Sequence, residues 1–261
     1  MIHSSAIISS KSKISEDVNI GPYCIVDEGV SIDTGTKLIS HVYITGNTSI
    51  GKNNIFFPFS SIGTIPHDLK YSGEDSLLII GNNNKFREHV TVNSGTKNGG
   101  MITKIENNCL FMVGSHVAHD CQISSNVIMA NNATLAGHVK INQNAIIGGL
   151  SAVHQFVHIG KYAMIGGMSG VESNIIPYAL YIGIRGSLRG LNIVGLKRKN
   201  VKSKTINNIQ KIFKKIFNKN NTIDKNISEL TVDEKSILEV KEIIDFINCN
   251  LKRGICRYIN D

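Results

Sequence analysis

The chain of 261 residues contains no tryptophan, only 4 prolines, and aromatic residues at 6%. A large aromatic-rich core is therefore excluded. The apolar content of 41% falls instead on isoleucine and valine through the first two-thirds. Five cysteines (Cys24, Cys109, Cys121, Cys249, Cys256) are scattered without a CxxC pair, which argues against a disulfide framework or a thiolate zinc site. No apolar run is long enough to span a bilayer. The opening "MIHSSAIISSKSKISED" lacks the basic-then-apolar order of a secretory signal, so a cytoplasmic location without stable membrane insertion is expected. Acidic residues are outnumbered, leaving a formal charge of +8. That balance suits an acidic partner. No aromatic-interleaved basic motif suggests nucleic acid, and a nucleotide-bearing small molecule or an acidic carrier protein fits equally well.

What the chain has in abundance is a period. Apolar residues recur every six positions from Ile2 through Ile8, Ile14, Ile20, Val26, Ile32, Leu38, Ile44, Ile50 and Phe56 to Ile62. The phase resumes at Ile80, Phe86 and Val92. After a one-residue shift it runs from Ile105 and Phe111 through Val117, Ile123, Met129, Leu135, Ile141, Ile147, Val153, Ile159 and Ile165 to Val171. Twelve consecutive matches have a chance probability on the order of 10⁻⁵ at this composition. Two positions before many of them stands a small residue, as at Cys109, Ser115, Ala133, Ala145, Ser151, Ala163 and Ser169. Residues two apart in extended chain face the same way. One large and one small inward residue followed by a turn describes one short face of a parallel β-helix, with coils of about 18 residues stacked ~4.8 Å apart. Such coils bury their apolar rows only against their neighbours. The period places the β-helix over residues 1–190.

Two stretches break the period, "GTIPHDLKYSGEDSLL" (63–78) and "NSGTKNGGMIT" (93–103), and read as extruded loops on a rigid scaffold. Beyond about residue 190, Ile206, Ile209, Ile212, Phe213, Ile216 and Phe217 step by three and four, the mark of an amphipathic helix. Helical patterning continues through "DEKSILEVKEIIDFINCNLKR". A lysine-rich α-helical C-terminal domain is therefore expected over 191–261, suited to docking.

At 18 residues per coil, His119 stacks near Gly137 and His138, and these near His154 and Gln155, so three imidazoles share one edge, with His116 just before. Cys121, beside His119 and Asp120, falls in the inward small slot, where a desolvated thiol is inert. A tri-histidine zinc site is physically possible, but it would leave both loops and the tail unexplained. Acid–base work by histidine is the remaining reading. Asp120 is placed to fix the tautomer if the two meet at a corner.

The six-residue pattern resembles that of the hexapeptide-repeat acyltransferases, and this resemblance implies a left-handed coil. The ordered set "DLKYSGE", "HVAHDC", "NNATLAGHV", "AVHQF", "GGMSGV" and "LNIVGLKRK" resembles the UDP-N-acetylglucosamine 3-O-acyltransferase family along essentially the whole chain. The resemblance implies transfer of a 3-hydroxyacyl chain from acyl carrier protein to the glucosamine 3-hydroxyl of UDP-N-acetylglucosamine, the first step of lipid A biosynthesis. It implies a homotrimer with sites between subunits, and neither a cofactor nor a metal. His119 is then the general base, Asp120 its orienter, and a backbone N–H near Gly137 the oxyanion donor. Asp68, Lys70, His116, His138, His154 and Gln155 are expected around the acceptor, with Asn192 and Arg198 toward its nucleotide end. Gly167 matches the position that limits acyl-chain length; with Gly149 one coil earlier, an open column and a long 3-hydroxyacyl chain are expected. Two departures bear on the sugar: His67 stands where glutamine is common, and Val194 where glutamate is frequent. They leave open an acceptor with nitrogen at position 3. Two rivals remain: a related N-acyltransferase, which carries an additional N-terminal uridine-binding domain, and a non-catalytic scaffold, which needs no His–Asp pair.

Overall fold

The structure, a computed structural model, describes residues 1–261 except Arg185, Lys199, Asn250, Leu251 and 259–261. The first two-thirds wind into a left-handed parallel β-helix, a triangular prism whose faces are sheets of nine, eight and ten strands. Most strands are only two residues long, and each pairs with the strand one coil before and one coil after, as Gln122 does with Lys104 and Lys140. Of the two residues in a rung, the second points inward. Ile20, Phe56, Phe111, Ile123 and Ile147 are all 2% exposed or less. The phenylalanines of three successive coils stack face to face, Phe56 on Phe86 and Phe86 on Phe111, each with centroids 4.7 Å apart. The small slots are filled as the spacing requires, by Cys24, Cys109, Ser115, Cys121, Ala133 and Ala145, all buried. Where a slot is polar, its bonds are met inside: Asn54 donates to the carbonyls of Gly51 and Gly81 and accepts from the amide of Asn84. The first coil has a neighbour on one side only, so Ile2 is 53% exposed and Ile8 and Ile14 are half-buried.

A turn at each edge needs one residue with positive φ. From Asp120 onward such a residue stands at every sixth position: Asp120, Asn126, Asn132, His138, Asn144, Leu150, Phe156, Tyr162 and Met168. Asparagine tolerates this region best, so the three asparagines fit their local geometry. Aspartate and histidine are also enriched there, so of the three that share one edge, Asp120, His138 and Phe156, it is Phe156 that is held by the coil rather than by preference.

That edge, between the nine- and eight-stranded faces, is also where both excursions leave. The chain departs after Ser61–Thr64 and re-enters at Leu77–Ile80, then departs after Thr91–Asn93 and re-enters at Ile102–Ile105. The strands therefore claim both ends of each expected loop. A single 3₁₀ turn, Lys97–Gly99, lies in the second.

The regular coil ends near Val171. Ala179–Ile182 and Ser187–Leu191 then pair antiparallel and lead into five helices: α1 (Ile193–Arg198), α2 (Ser203–Ile216), α3 (Ile223–Ser228), α4 (Val232–Ser236) and α5 (Leu238–Asn248). The predicted stripe Ile206, Ile209, Ile212, Phe213 and Ile216 is the buried face of α2. The helical patterning expected over 233–253 is divided between α4 and α5. Ile237 is extended between α4 and α5, and the Ser236 hydroxyl donates back to the Asp233 carbonyl, competing with helical continuation. Helix α5 is fastened to the prism by Glu242, which accepts from Lys161 and from the Tyr178 hydroxyl. Beyond α5 the chain turns back, and Asn174 bridges it: its amide donates to the Gly254 carbonyl and its carbonyl accepts from the Cys256 amide. No helix among the described residues is long and apolar enough to cross a membrane.

Candidate active site

On the edge carrying both excursions, His119 and Asp120 are neighbours in the turn of one coil. In extended chain their side chains would diverge. With Asp120 at φ 59 they converge, and His119 Nδ1 lies 2.7 Å from Asp120 Oδ2. Both are buried, at 6% and 4% exposure. The carboxylate is saturated. The Thr96 amide donates to Oδ1 at 2.9 Å and its hydroxyl to Oδ2 at 2.6 Å. The Asp120 amide itself donates to the Thr103 hydroxyl. Burial pushes the Asp120 carboxyl up, but hydrogen bonds from His119 and Thr96 outweigh it and hold the group below the usual carboxylate range. An ionised, acceptor-only carboxylate requires the proton of neutral His119 to sit on Nδ1, leaving Nε2 bare.

That bare nitrogen lies over Gly137, one coil on. A Cβ on Gly137 would come within 2.6 Å of Nε2 and 2.4 Å of Cε1, so only glycine admits the ring. The Gly137 amide has no hydrogen-bond partner among the described residues. A proton acceptor and an uncommitted donor thus stand side by side. Gly99 is constrained in the same way, because a Cβ there would fall 1.9 Å from the Asp120 carboxyl carbon.

His138 meets His119 edge-on, with centroids 5.1 Å apart, and its Nε2 is 3.8 Å from Asp120 Oδ2. Its own next rung is Phe156, stacked at 4.4 Å. The expected column of three imidazoles is therefore corrected. Two share the edge with Asp120, and phenylalanine takes the third place. His154 lies two residues earlier in its coil, exposed, with Nδ1 2.8 Å from Arg253 Nη2. Gln155, half-buried above Gly137, accepts from Arg253 Nε through its carbonyl. His116, on the nine-stranded face, shares a 2.7 Å hydrogen bond with the Thr91 hydroxyl and stacks on His67 at 5.8 Å. Burial, with His67 and His119 beside it, pushes His116 down to about 4, so it is neutral at physiological pH. Asp68 follows His67 in the first excursion and accepts from the amide of exposed Lys70.

The remaining expected residues lie elsewhere on the chain. Asn192 is buried and engaged locally, donating to the Tyr162 carbonyl and accepting from the Gly195 amide. With Val194 and exposed Arg198 it borders a separate, mainly apolar cleft of about 790 Å³ on the ten-stranded face. Gly167 is on the edge between the ten- and nine-stranded faces. A Cβ there would meet only Gly149 backbone, at 3.3 Å. One chain thus carries the expected residues in three places.

Cys121 is fully buried beneath the dyad, with its thiol pushed up to about 12 by desolvation. For a cation, His119, Asp120 and His138 each offer one ligand atom within 4.8 Å of the others. Of these, Asp120 Oδ2 already accepts from the Thr96 hydroxyl and from His119 Nδ1. The tri-histidine set of the zinc alternative does not assemble among the described residues, because His154 stands apart. Sequence reasoning missed Thr96, Gly99 and Arg253. Nothing local announced them, because each is brought to the site by how a loop or the tail folds back.

Comparison with known proteins identifies the family. The family profile described as UDP-N-acetylglucosamine O-acyltransferase, domain 2, matches residues 174–256. The acyl-[acyl-carrier-protein]–UDP-N-acetylglucosamine O-acyltransferase of Thermodesulfovibrio yellowstonii is 47% identical, over 98% of this chain and 99% of the relative. That of Rickettsia canadensis is 48% identical, over 98% and 97%. The crystal structure of UDP-N-acetylglucosamine O-acyltransferase from Moraxella catarrhalis superposes with a TM-score of 0.94 at 40% identity, covering 98% of this chain and 99% of that one. With near-full-length identity at this level and a common fold, the chain belongs to the UDP-N-acetylglucosamine O-acyltransferase family.

Proposed function

We propose that this enzyme transfers a 3-hydroxyacyl chain from acyl carrier protein to the 3-hydroxyl of UDP-N-acetylglucosamine in the cytoplasm, opening lipid A biosynthesis. The observation that carries this reading is the His119–Asp120 pair, with Nε2 bare over the unpartnered amide of Gly137. Nε2 takes the proton of the sugar hydroxyl as its oxygen attacks the thioester carbonyl. The Gly137 amide meets the negative charge on the former carbonyl oxygen. Collapse expels the thiolate, which recovers the proton from His119. The Asp120 carboxylate stabilises the imidazolium between these steps. A direct transfer is supported by the state of Cys121, which is buried and protonated and so no candidate for an acyl-enzyme.

Asp68, Lys70, His116 and His138 surround the acceptor sugar in this reading, with His154 and Gln155 bordering it. Asn192 and Arg198 serve the nucleotide end, and Gly167 the acyl terminus. Their separation on one chain favours a homotrimer in which neighbours complete each site. Its contact is supplied by the edge of Gly167. There Tyr23, His41, Phe59 and His89 form a ladder of rings 5.0 to 5.2 Å apart, with Tyr23, Phe59, Leu150 and Met168 all more than half exposed. Burying such an edge between copies removes apolar surface from water.

The test is transfer from 3-hydroxyacyl carrier protein to UDP-N-acetylglucosamine and to its 3-amino analogue, by wild type and by His119→Ala. Loss of nearly all turnover in the variant is expected. Full activity in His119→Ala overturns the base assignment, and preference for the amino analogue overturns the oxygen acceptor.

A further inference from the structure

The two excursions touch at two levels. At their bases the contact is buried and belongs to the scaffold. The Ser76 and Ser94 hydroxyls bond at 3.0 Å, and the Asn93 side chain donates to the Thr64 hydroxyl and the Ile65 carbonyl. Farther out, Glu74 of the first excursion reaches the second, and its Oε1 accepts from the Lys97 amide at 2.9 Å. Its Oε2 accepts from the amide and the hydroxyl of Ser72, at 2.8 and 3.3 Å. The amide of Lys97, and then that of Ser72, hold the Glu74 carboxyl down to about 2, so both oxygens are acceptors at neutral pH.

Lys97 opens the 3₁₀ turn Lys97–Gly99, and the first amides of such a turn have no partner within it. Thr96 stands at the capping position but makes no side-chain cap, because its hydroxyl is turned to Asp120. Glu74 supplies an acceptor from outside the turn. Successive amides, those of Thr96 and Lys97, therefore donate to two different carboxylates, Asp120 and Glu74. The last residue of the turn, Gly99, packs so closely on the Asp120 carboxyl that a Cβ would overlap it.

Glu74 is equally tied to the residues proposed to surround the acceptor. The Tyr71 hydroxyl donates to the Glu74 carbonyl, the Tyr71 amide donates to the Asp68 carbonyl, and the Asp68 side chain accepts from the Lys70 amide. Residues 68–74 thus form one self-bonded unit, with Asp68 and Lys70 toward one end and the Glu74 carboxylate at the other.

We infer that Glu74 is a positioning residue for the general base, acting through the Lys97 amide and Thr96 on Asp120, and so on His119. The inference rests on the reading of His119 as that base. Without Glu74 the second excursion stays anchored at its foot, while the turn that carries Thr96 is free to withdraw its donors from Asp120.

Glu74→Gln is the test, because a carboxamide has one acceptor oxygen and cannot serve Lys97 and Ser72 together. The fall in kcat should be roughly three- to tenfold, as for one such bond, with KM for the acyl carrier protein unchanged. An Asp120 held by fewer donors is more basic, so the acid limb of kcat should move to higher pH. Removal of the Glu74 charge acting through space alone would move it lower. In the Glu74→Gln, Thr96→Val double variant the losses should not multiply, leaving kcat within about twofold of Thr96→Val alone. Losses that multiply, an acid limb that stays or moves lower, or an effect confined to KM for the acceptor would each overturn the inference. His119→Ala keeps the two readings apart. Full turnover in it overturns the base and the inference together, whereas its inactivity beside an unmoved limb in Glu74→Gln overturns the inference alone.

Discussion

Thr96 holds both oxygens of the Asp120 carboxylate, one through its amide and the other through its hydroxyl. It reaches them from the second excursion, 24 positions away in the chain. Thr96→Val removes the hydroxyl alone and leaves a buried carboxylate one donor short. A penalty of about 1–3 kcal/mol on the aligned dyad corresponds to a fall in kcat of roughly tenfold or more. The pH profile separates this from general loosening. Asp120 is depressed in the folded protein, so its ionised form is present above that value and lost as pH falls through it. Without the hydroxyl its pKa rises, and the acid limb of kcat should move to higher pH. Thr96→Ser should restore both. An unmoved limb with equally low kcat would assign Thr96 a structural role only.

Gly137→Ala tests the closeness of the base to the turn beneath it. The added methyl would meet Cε1 and Nε2 of His119 at 2.4 and 2.6 Å, so the ring must swing aside. Activity should fall on the order of 10²-fold, as for misplacement of a reacting group. The thermal midpoint should stay close to wild type. Unimpaired turnover would mean that Nε2 does not work from the position it occupies here.

Gly167→Met tests the acyl end. The position is open, with only Gly149 backbone near a built Cβ, so the fold should accept the side chain. Preference should shift from long to shorter 3-hydroxyacyl donors when kcat/KM is compared across a chain-length series. Unchanged selectivity would remove Gly167 from the acyl groove.

Acid should weaken the fold through two histidines. His116 and His158 are both pushed by burial from an ordinary 6.5 down to about 4, with Lys140 adding to the effect at His158. Between those values the unfolded chain binds protons that the folded one refuses. Stability is therefore full above about pH 6.5 and falls as pH drops toward 4. Urea midpoints measured across this window should decline, and less steeply in a His116→Gln, His158→Gln double variant. Parallel slopes in the two proteins would contradict the assignment.

The prism was legible because its constraint is local and repeated. Each face demands a large and a small inward residue, so Ile123 and Cys121, or Leu135 and Ala133, announce their places from spacing alone. The His119–Asp120 pair was legible for a related reason: a turn is where neighbours can converge. His154 was misplaced because counting by 18 tolerates a slip of one or two residues, and that slip decides whether His154 or Phe156 continues the column. Thr96 and Arg253 were invisible, since their partners are fixed by how a loop and a tail fold back, and no period reports that. The break at Ile237 escaped notice because the apolar steps on either side fit one helix almost as well as two.

Both excursions return to the register they left: Leu78 pairs with Thr48 behind it and Thr103 ahead. The length of chain spliced in at this edge is therefore a free variable. Closing a longer loop costs only about 0.6 kcal/mol per doubling, and no rung of the prism has to move. Pocket and scaffold can be altered separately. Exchanging 65–76 for a segment of different length that keeps Glu74 is a way to redraw what the dyad acts on while the spring that carries it stays wound.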